Sequence, residues 1–429
     1  MKNIIVFSHN CFSDTSNNGK TLASIFSKIN PLRVSQIFIS DREMPASHER
    51  CNSFYKISDR DLISSLIRKS EFGCEVTIEN KASAVQTGKP NAIKRSPFTI
   101  WLRDIFWVVL FPLKYKTLFD WIKSKSPDLL FYVSGDAIFS MKIALRIAKH
   151  FNLPLVVYVT DDYYVFNRPN KSSFFDYTHC MWLRRQFKKL LKNSSRCYVI
   201  GEKMKSVYED EFGINSNILI NTIPITTFDP ISSCSTESIK LGYFGNISLG
   251  RGVQLLKLAE LIKEATCKSG AKIELHIYTF SELSEELRSS LSSFRVHLHP
   301  GVGAMKLKAV MQSCDFLVLV ESPERKNLKL TALSLSTKVP EYMMMSRPIL
   351  AFGPIEAGSI DFIVKHNCGI YIDSEDSTNI NVEKLCEIVS DKSLQFNLAE
   401  YAHQFACKYF NQETQSERFA YDINNIQKQ

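Results

Sequence analysis

The chain has 429 residues, of which 45% are hydrophobic and 23% are charged; this is ordinary for a globular protein and long enough for two domains of about 200 residues. No stretch reaches the ~18 continuous apolar residues of a membrane-spanning helix, and the first ten residues do not resemble a signal peptide. Eleven cysteines are scattered without a CxxC pair, which favours reduced thiols in the cytoplasm over a disulfide framework or a zinc site.

The net charge of +9 is concentrated in the first half of the chain. Residues 1–230 carry 32 Lys and Arg against 21 Asp and Glu, whereas residues 231–429 carry 21 against 23. A basic half joined to a near-neutral half predicts that one domain faces an anionic partner. Nucleic acid, a phospholipid surface and a phosphorylated substrate all fit this description.

Apolar segments alternate with helical patterns along the first half. The predicted elements are a strand at 4–8, a helix at 19–29, a strand at 129–133, a helix at 137–151, strands at 155–160 and 196–200, a helix at 204–212 and a strand at 217–220. Strands that are apolar on both faces and separated by helices indicate a parallel sheet covered on both sides.

A composition shift at 226–238, rich in Ser, Thr and Pro, predicts a linker. The alternation then restarts with strands at 241–244, 273–278, 296–298, 316–320, 349–352 and 369–372, and helices at 253–265, 305–313, 338–345, 382–389 and 394–410. The pattern predicts an α/β protein with two Rossmann-like domains facing each other across a cleft. Their expected bounds are 1–225 and 239–410, and residues 411–429 are expected to form a helix that packs back on the first domain, as it does in similar proteins.

Ligands of open parallel sheets bind beyond the carboxyl ends of the strands, so the residues that follow each strand are the most informative. The segment 245–252, GNISLGRG, lies between a strand and a helix. Its glycines allow close approach of a ligand, the helix N-terminus favours an anion, and Arg251 offers a planar set of donors suited to phosphate. A tight turn with a solvated Arg explains the segment alone equally well.

The segment 334–342, SLSTKVPEY, is the second candidate. Ser336 or Thr337 can cap a helix, and the proline is tolerated only in its first turn. Lys338 then lies beside the helix N-terminus, and Glu341 follows one turn later, where a carboxylate can accept two ribose hydroxyls. The alternative is an ordinary capped helix with a favourable early Glu.

These two segments, together with AVMQSCDFLVLV and PEYMMMSRPILAFG, resemble the retaining glycosyltransferases of family 4, which have the GT-B fold. The match covers roughly residues 239–372. The resemblance implies that Arg251 and Lys338 contact the diphosphate of a nucleotide-sugar donor and that Glu341 holds its ribose. The remaining donor-binding residues implied by it are Asn18, Gly19, Thr21, Gly245, Asn246, Gly252, Ser336, Thr337 and Tyr342.

Two positions depart from the family pattern. Asn246 stands where a second basic residue is usual, and Leu333 occupies the place of the first of two glutamates that are eight positions apart. Several branches that make bacterial surface polysaccharide look the same, with a Lys-x-x-Glu-Tyr helix and only the second glutamate. These departures bear on the identity of the donor more than on the fold.

The loop after the first strand, DTSNNGKT, nearly spells a phosphate-binding P-loop, but Asp14 replaces the first glycine and would repel phosphates. Asn18, Gly19 and Thr21 instead fit the loop that approaches the donor in GT-B enzymes. The first half resembles the same enzymes more loosely, through this loop and through PDLLFYVSGD and PLVVYVTDDY.

Asp161 and Asp162 end an apolar strand and are expected to face the cleft. They either orient an acceptor hydroxyl or act as a base, or they order the loop; both interpretations stay open. They do not form a DxD motif and no His is near them in sequence, so no metal is predicted. His297 and His299 share one face of a strand but lack further ligands nearby, which favours partly buried histidines over a metal site.

Two segments combine apolar and basic residues, FTIWLRDIFWVVLFPL and MWLRRQFKKLLK, and suit helices at a membrane surface. A core helix with a solvated basic face is the alternative. The candidate membrane or acceptor residues are Trp101, Trp107, Trp182, Arg184, Arg185, Lys188 and Lys189.

The resemblance therefore implies a retaining hexosyltransferase that uses a nucleotide-diphosphate sugar, and we expect no metal or other cofactor and no nucleic-acid partner. The expected acceptor is a lipid-linked or growing polysaccharide, and the expected location is the cytoplasm, on the inner face of the cytoplasmic membrane. A sugar-nucleotide epimerase of the same fold and a non-catalytic scaffold that binds nucleotide sugar or lipid remain as alternatives.

Overall fold

The computed structural model describes residues 1–13, 17–40, 44–45, 49–67, 71–76, 96–166, 173–229 and 238–427. The chain divides into two compact units. The first comprises Met1–Thr222 and Gln412–Gln429, and the second comprises Ile223–Asn411.

The first unit is built on one eight-stranded sheet. Its strands are β1 (Ile4–Ser8), β2 (Val34–Ile39), β3 (Ser53–Ile57), β4 (Cys74–Val76), β5 (Leu129–Ser134), β6 (Leu155–Val159), β7 (Arg196–Val199) and β8 (Ser216–Ile218). Their order is β4-β3-β2-β1-β5-β6-β7-β8, and only the β3–β4 pair is antiparallel. Strands β1, β2, β5 and β6 are buried along their whole length, as expected for a sheet covered on both faces.

Seven α-helices lie in the described residues that precede the second unit along the chain. They are α1 (Asn17–Ile25), α2 (Asp59–Ile67), α3 (Pro97–Lys114), α4 (Lys116–Ser124), α5 (Ile138–His150), α6 (Phe174–Lys192) and α7 (Glu202–Phe212). Both long helices begin at a serine cap: the hydroxyl of Ser96 accepts from the Thr99 amide, and that of Ser173 accepts from the Asp176 amide. No helix of the described residues is both long enough and apolar enough to cross a bilayer.

The second unit contains a six-stranded, fully parallel sheet. Its strands are β9 (Ile239–Phe244), β10 (Ile273–Thr279), β11 (Val296–Pro300), β12 (Phe316–Val320), β13 (Ile349–Phe352) and β14 (Ile370–Ile372), in the order β11-β10-β9-β12-β13-β14. Its helices are α8 (Arg251–Ser269), α9 (Glu285–Ser292), α10 (Ala304–Gln312), α11 (Arg325–Thr331), α12 (Lys338–Met343), α13 (Gly358–Lys365), α14 (Thr378–Ser390) and α15 (Lys392–Tyr409).

The last helix, α16 (Gln412–Asn425), belongs to the first unit. Its Phe419 ring contacts the rings of Phe26 and Phe131, with centroids 5.2 and 5.6 Å apart. The Ser416 hydroxyl also donates to the Ser24 carbonyl at 2.9 Å. Aromatic packing in the core thus ties the C-terminal end of the chain to its beginning.

Part of the segment predicted as a linker packs on the second unit. The Thr226 carbonyl oxygen lies 2.9 Å from Nε2 of His403, the Asp229 amide donates to Ser346, and Arg347 donates to the Asp229 carbonyl at 3.0 Å. Residues 226–229 are therefore part of this unit. Residues 230–237 lie outside the described residues.

Candidate functional site

The loop after β9 brings Arg251 to the carboxyl edge of the second sheet. Arg251 is the first residue of α8, and the helix is preceded by Gly250 at φ +76°. A Cβ atom on Gly250 would lie 2.5 Å from both Asn327 Nδ2 and Ser322 Oγ. Only glycine allows this backbone to pack against the segment that follows β12.

Arg251 is held by an acidic partner that the sequence patterns did not identify. Its Nη2 donates to both carboxylate oxygens of Glu321 at 3.0 Å, and its Nε donates to the Val320 carbonyl at 3.2 Å. Nη1 also donates to Asn246 Oδ1 at 3.2 Å. Burial opposes the charge of the guanidinium, but the Glu321 carboxylate, together with Tyr243 and Tyr342, raises the pKa of Arg251 above its ordinary value. The guanidinium is therefore permanently charged and fixed in orientation.

Lys338 is the second positive charge at this edge. Its ammonium lies 4.6 Å from the centre of the Tyr243 ring and 3.4 Å from the hydroxyl of that residue. It also approaches the loop backbone so closely that a Cβ atom on Gly245 would lie 2.3 Å from Nζ. Gly245 has φ +139°, a conformation that favours glycine, and a side chain there would displace the Lys338 ammonium.

The charge on Lys338 is only partly compensated. No carboxylate lies within 4.0 Å of its ammonium in the described parts of the chain. Burial, and after it the positive charge of Arg251, lower the pKa of Lys338 to about 8. The side chain is thus mainly protonated at pH 7, in surroundings where an added anion would be favourable.

Of the two residues predicted to cap α12, Ser336 bonds to its first amide and Thr337 does not. The Ser336 hydroxyl accepts from the Lys338 amide at 3.3 Å, whereas Thr337, the residue just before the helix, makes no cap bond through its side chain. The Ser336 amide itself donates to Ser359 at 2.9 Å, which anchors the turn. Glu341 lies one turn after Lys338 and is partly exposed.

The prediction that Tyr342 contacts the donor is wrong. It is fully buried, its hydroxyl donates to the Phe244 carbonyl at 3.3 Å, and the Phe244 amide lies 3.2 Å from the same oxygen. Burial raises the pKa of this phenol well above its usual value. Tyr342 therefore supports the end of β9 from inside the core and offers no surface to a ligand.

Gly252, the other glycine proposed at the donor, has a packing reason of its own. A Cβ atom there would lie 2.8 Å from Cδ2 of Leu287, so the missing side chain lets α8 approach α9. Asn246, in contrast, directs its amide oxygen to both Arg251 and Ser248, at 3.2 and 2.7 Å. The residue that replaces the expected second cation thus helps to orient the first.

The residues of the loop after β1 that were predicted to contact the donor have different surroundings in the structure. Gly19 lies in the first turn of α1 in a crowded position, because a Cβ atom there would lie 2.4 Å from the Cys11 carbonyl oxygen. Thr21 is buried and its hydroxyl donates to Asn221 at 3.3 Å, so a direct donor contact through this side chain is not supported. Asp14 and the side chain of Asn18 lie outside the described residues.

Asp162 orders the loop after β6. Its carboxylate accepts from the amides of Tyr164, Val165 and Phe166 at 2.8–3.1 Å and from the Tyr208 hydroxyl at 2.7 Å. With its side chain buried and all of these bonds made, the catalytic interpretation of Asp162 is wrong. Asp161 is partly exposed and accepts from its neighbour Thr160 at 3.2 Å, so it stays the candidate of the pair.

Two of the candidate membrane residues are engaged inside the first unit. Trp107 is only 1% exposed; its ring stacks on Phe139 at 4.4 Å and its indole N–H donates to Asp59 at 2.6 Å. Arg184 forms a salt bridge with Glu211 and donates to the Tyr164 carbonyl at 2.7 Å. Both expectations are corrected, because these side chains already have partners in the fold. Trp101 and Trp182 are partly exposed, and Arg185, Lys188 and Lys189 are exposed.

The apolar surface of the first unit lies instead on the other side of α3. Five exposed apolar residues are spaced three or four apart along this helix, and we call them the apolar α3 face: Phe98, Leu102, Phe106, Val109 and Leu113. The buried side of the same helix carries Trp107 and Asp104, and Asp104 accepts from the Phe139 amide at 2.9 Å. The sequence thus shows that this segment is helical, but it does not show which side of the helix is buried.

Two residues at the carboxyl edge were missed by the sequence patterns. Glu321 directly follows β12, a position that could have indicated a ligand-edge residue. Phe280 directly follows β10, is 80% exposed and lies over Gly301, where a Cβ atom would meet its ring at 2.4 Å. An exposed aromatic ring at this edge is suited to stacking with a planar group.

Among the described residues, one group of three His, Cys, Asp or Glu side chains is close enough to share a metal ion: Glu274, His276 and His297. Glu274 pairs with Lys240 near the beginning of β9, whereas Arg251 follows the end of that strand. The group is therefore separate from the two positive charges.

No protein-family model matches the sequence, and no curated protein matches it. Solved structures do match over the whole chain. An E. coli structure described as trehalose-6-phosphate bound with UDP-2-fluoro glucose has a TM-score of 0.61 at 9% identity and covers 99% of this chain and 100% of its own. WaaG, a glycosyltransferase involved in lipopolysaccharide biosynthesis, has a TM-score of 0.59 at 14% identity, covering 98% and 99%. A Staphylococcus aureus TarM mutant in complex with Fondaparinux, alpha-GlcNAc-glycerol and UDP has a TM-score of 0.56 at 12% identity, covering 99% and 100%.

These similarities define the class of fold. The chain has the GT-B fold of glycosyltransferases, and its two units are the two Rossmann-like α/β domains of that fold. The predicted fold class is confirmed. At identities of 8–14% the likeness concerns the fold alone, and the chemistry rests on the residues described above.

Proposed function

We propose that this protein transfers a sugar from a nucleotide-diphosphate donor, with retention of the anomeric configuration. The observation that carries the proposal is the convergence of Arg251 and Lys338 at the loop 245–252, where two cations from different elements face one backbone turn. A diphosphate is the anion that such a pair fits, because two fixed cations can neutralise its adjacent phosphates.

The reaction needs no protein nucleophile in this proposal. The bond between the anomeric carbon and the diphosphate oxygen breaks, and negative charge develops on the leaving group. Arg251 and Lys338 stabilise that charge, and the charge is greater in the transition state than in the bound donor, so the stabilisation accelerates the reaction. The incoming acceptor oxygen forms the new bond to the anomeric carbon, and its proton passes to the departing diphosphate oxygen.

Glu341 is proposed to bind the ribose, and Phe280 to stack with the base. Glu341 lies one turn from Lys338 and is accessible; Phe280 is exposed at the carboxyl end of β10, at the same edge of the same sheet. The UDP and UDP-sugar present in two structures of the same fold support a nucleotide of this kind. The donor is first tested as UDP.

No metal takes part in this chemistry as proposed, because the two cations perform the neutralisation that a divalent ion would otherwise supply. Transfer is therefore expected to persist in EDTA. Complete loss of transfer with EDTA, restored by manganese or magnesium, would contradict this part of the proposal.

The binding test is isothermal titration of the full chain with UDP, GDP and ADP. We expect one of them to bind, and Arg251→Gln and Lys338→Gln each to weaken it at least tenfold. Lys268→Gln is the matched control, since Lys268 is an exposed lysine near the C-terminal end of α8. If no nucleotide binds, or if both site variants bind as the parent does, the assignment of the donor site fails.

We also propose that the acceptor is a saccharide carried on a lipid and that the first unit contacts an anionic membrane surface. The apolar α3 face supplies exposed hydrophobic area, and α3 contacts α6 through Phe98 and Phe175, whose ring centroids are 4.8 Å apart. On α6, Phe174, Tyr177, Arg185 and Lys188 are exposed and follow one another at helical spacing. Apolar side chains beside exposed cations are the combination that an interfacial helix pair needs.

A further inference from the structure

The parallel register of β10 and β11 assembles a cluster that the sequence did not reveal. Glu274, His276 and Tyr278 alternate along β10 and so share one of its faces. His276 pairs with His297 and Tyr278 pairs with His299 on the neighbouring strand. His297 therefore does not lack further ligands, as its sequence surroundings suggested, because Glu274 and His276 are placed beside it.

The distances within the cluster are close to those of a metal site. Oε2 of Glu274 lies 3.7 Å from Nε2 of His276 and 3.8 Å from Nε2 of His297, and all three atoms lie within 4.8 Å of one another. Ligands at ~2.0–2.1 Å from a tetrahedral ion are ~3.3 Å apart. Side-chain rotations that bring the Glu274 oxygen roughly 0.5 Å closer to each imidazole, and the two imidazoles closer by up to about 1.5 Å, would complete the geometry of a zinc site.

One ring nitrogen of His276 points to a missing ligand. Nδ1 of His276 lies 3.1 Å from Nε2 of His299, so one hydrogen bond joins these rings. Nε2 of His276 is buried and has no hydrogen-bond partner among the described residues. A buried ring nitrogen without a partner costs stability unless something binds it. When His276 donates from Nδ1 to His299, the lone pair of Nε2 faces Glu274 and His297.

We propose that Glu274, His276 and His297 bind a Zn²⁺ ion, with a water molecule in the fourth position. His299 is a positioning residue that fixes the tautomer of His276 through the Nδ1 contact. A hydrogen bond of this kind to the second nitrogen of a ligating histidine is the usual support of a metal site.

The surroundings of the cluster favour ligand binding. The Ser238 hydroxyl donates to Glu274 Oε2 at 2.9 Å and the Lys272 ammonium lies 3.2 Å from Oε1, so the carboxylate is held in place.

The position of the site indicates a structural role. Glu274 lies near the beginning of β10, at the end of the strand opposite to the edge that carries Arg251 and Lys338. β11 is an edge strand of the sheet, joined to it only through β10 in the described strands. An ion bound by both strands would cross-link this edge, and it would do so without touching the proposed donor.

The test uses the full chain, freed of metal with a chelator and titrated with Zn²⁺ in a reducing buffer. We expect one equivalent of Zn²⁺ to bind and the melting temperature to rise with Zn²⁺ concentration. His297→Ala should weaken binding at least tenfold and abolish the thermal shift, and Glu274→Gln should do the same. His297 is 48% exposed in its side chain, so its replacement leaves the core intact. His299→Ala should weaken binding by roughly 10- to 100-fold while the ligands remain.

The matched control is His150→Ala, which removes an exposed histidine from α5 in the other unit and should bind Zn²⁺ as the parent does. Titration with Co²⁺ separates this site from the free cysteines, because thiolate ligands add a strong near-ultraviolet band and a His₂Glu site does not. Absence of stoichiometric binding, equal binding by His297→Ala, or a thiolate band would overturn the proposal. UDP binding is measured in the same samples, and its success or failure does not depend on this site.

Discussion

Nη2 of Arg251 lies 3.0 Å from both carboxylate oxygens of Glu321, a residue whose side chain is only 3% exposed. The contact joins the first residue of α8 to the first residue after β12, so it connects two adjacent strand ends through one ion pair. Gly353 also contributes to the arrangement, because it has no side chain that would collide with the Glu321 backbone. A Cβ atom on Gly353 would lie 2.6 Å from the Glu321 carbonyl oxygen. The cation that we assign to the donor diphosphate is therefore positioned by the sheet itself.

The first prediction concerns this pair. Glu321→Gln removes the charge partner and leaves the Arg251 guanidinium buried without compensation, which costs about 3–5 kcal/mol when a buried pair is broken. We expect a lower melting temperature and weaker UDP binding, since the guanidinium loses its fixed orientation. Both are measured on one protein sample, by thermal unfolding and by titration calorimetry.

The control for this prediction is Glu383→Gln, which breaks the exposed pair with Lys268 and should change stability by less than about 1 kcal/mol. Equal melting temperatures of the Glu321 and Glu383 variants would show that Glu321 has no positioning role.

The second prediction is that UDP affinity depends on pH because Lys338 titrates. The pKa of this side chain is about 8, below its ordinary value of 10.5, so the cation is lost as the pH rises through 8. UDP affinity should therefore fall between pH 7 and pH 9 in the parent. Lys338→Gln has no charge to lose, so its weaker affinity should stay level over the same range. A parallel decline in both proteins would assign the titration to another group.

The same lowered pKa has a consequence for folding. The unfolded chain binds the Lys338 proton more tightly than the folded chain does. The charged side chain therefore destabilises the fold at neutral pH. As the pH rises above 8, the side chain loses its proton in the folded state and the free energy of unfolding increases. Lys338→Met should accordingly melt no lower than the parent at pH 7, while it loses UDP binding. Thermal unfolding at pH 7 decides this, and a clearly lower melting temperature would contradict the account.

The third prediction tests the ribose contact. Glu341→Gln should weaken UDP binding roughly ten- to a hundredfold, because hydrogen bonds to a charged group contribute about 1.5–3 kcal/mol and each factor of ten corresponds to about 1.4 kcal/mol. Pyrophosphate has no ribose, so its affinity should not change. If the variant loses UDP and pyrophosphate binding alike, or unfolds, Glu341 supports α12 and does not hold a ribose.

The fourth prediction concerns Phe280. Its exposed ring at the carboxyl end of β10 should stack with the base, so Phe280→Ala should reduce UDP affinity several-fold and leave pyrophosphate binding unchanged. Tyr401→Ala removes another exposed aromatic side chain of the second unit and is the control. Unchanged UDP binding in Phe280→Ala would exclude a stacking role.

The fifth prediction separates the apolar and the basic contributions to membrane binding. Purified protein should sediment with anionic vesicles and detach at high salt, because each basic residue near the surface contributes about 1 kcal/mol that salt screens. Arg185, Lys188 and Lys189 replaced together by Gln should weaken this binding. Leu102, Val109 and Leu113 replaced together by Ser should weaken it as well, but independently of salt.

Arg184→Gln is the control for the fifth prediction. Its charge is already paired with Glu211, so vesicle binding should stay close to that of the parent. Equal binding to neutral and anionic vesicles would contradict the electrostatic part, and unchanged binding of the serine variant would contradict the part played by the apolar α3 face.

The period of apolar residues determined most of the architecture. The strands Phe316–Val320 and Ile349–Phe352 have the bounds that their apolar runs predict, because a strand buried on both faces has no polar residue to interrupt it. The edge of the sheet that carries Arg251 and Lys338 follows from the same rule, since a loop after a parallel strand lies at its carboxyl end. Short polar elements such as α11 were missed because they have no apolar run.

The tertiary structure alone decided which side chains meet. Nothing in the spacing between residues 251 and 321 indicates that they form an ion pair, and nothing between residues 274 and 297 indicates a shared cluster; both depend on strand order and register, which are set by long-range packing. It also decided that Trp107 and Asp162 are buried while Phe106 and Asp161 are not, because the sequence gives the helical or strand period of a segment but not which of its faces the rest of the protein covers.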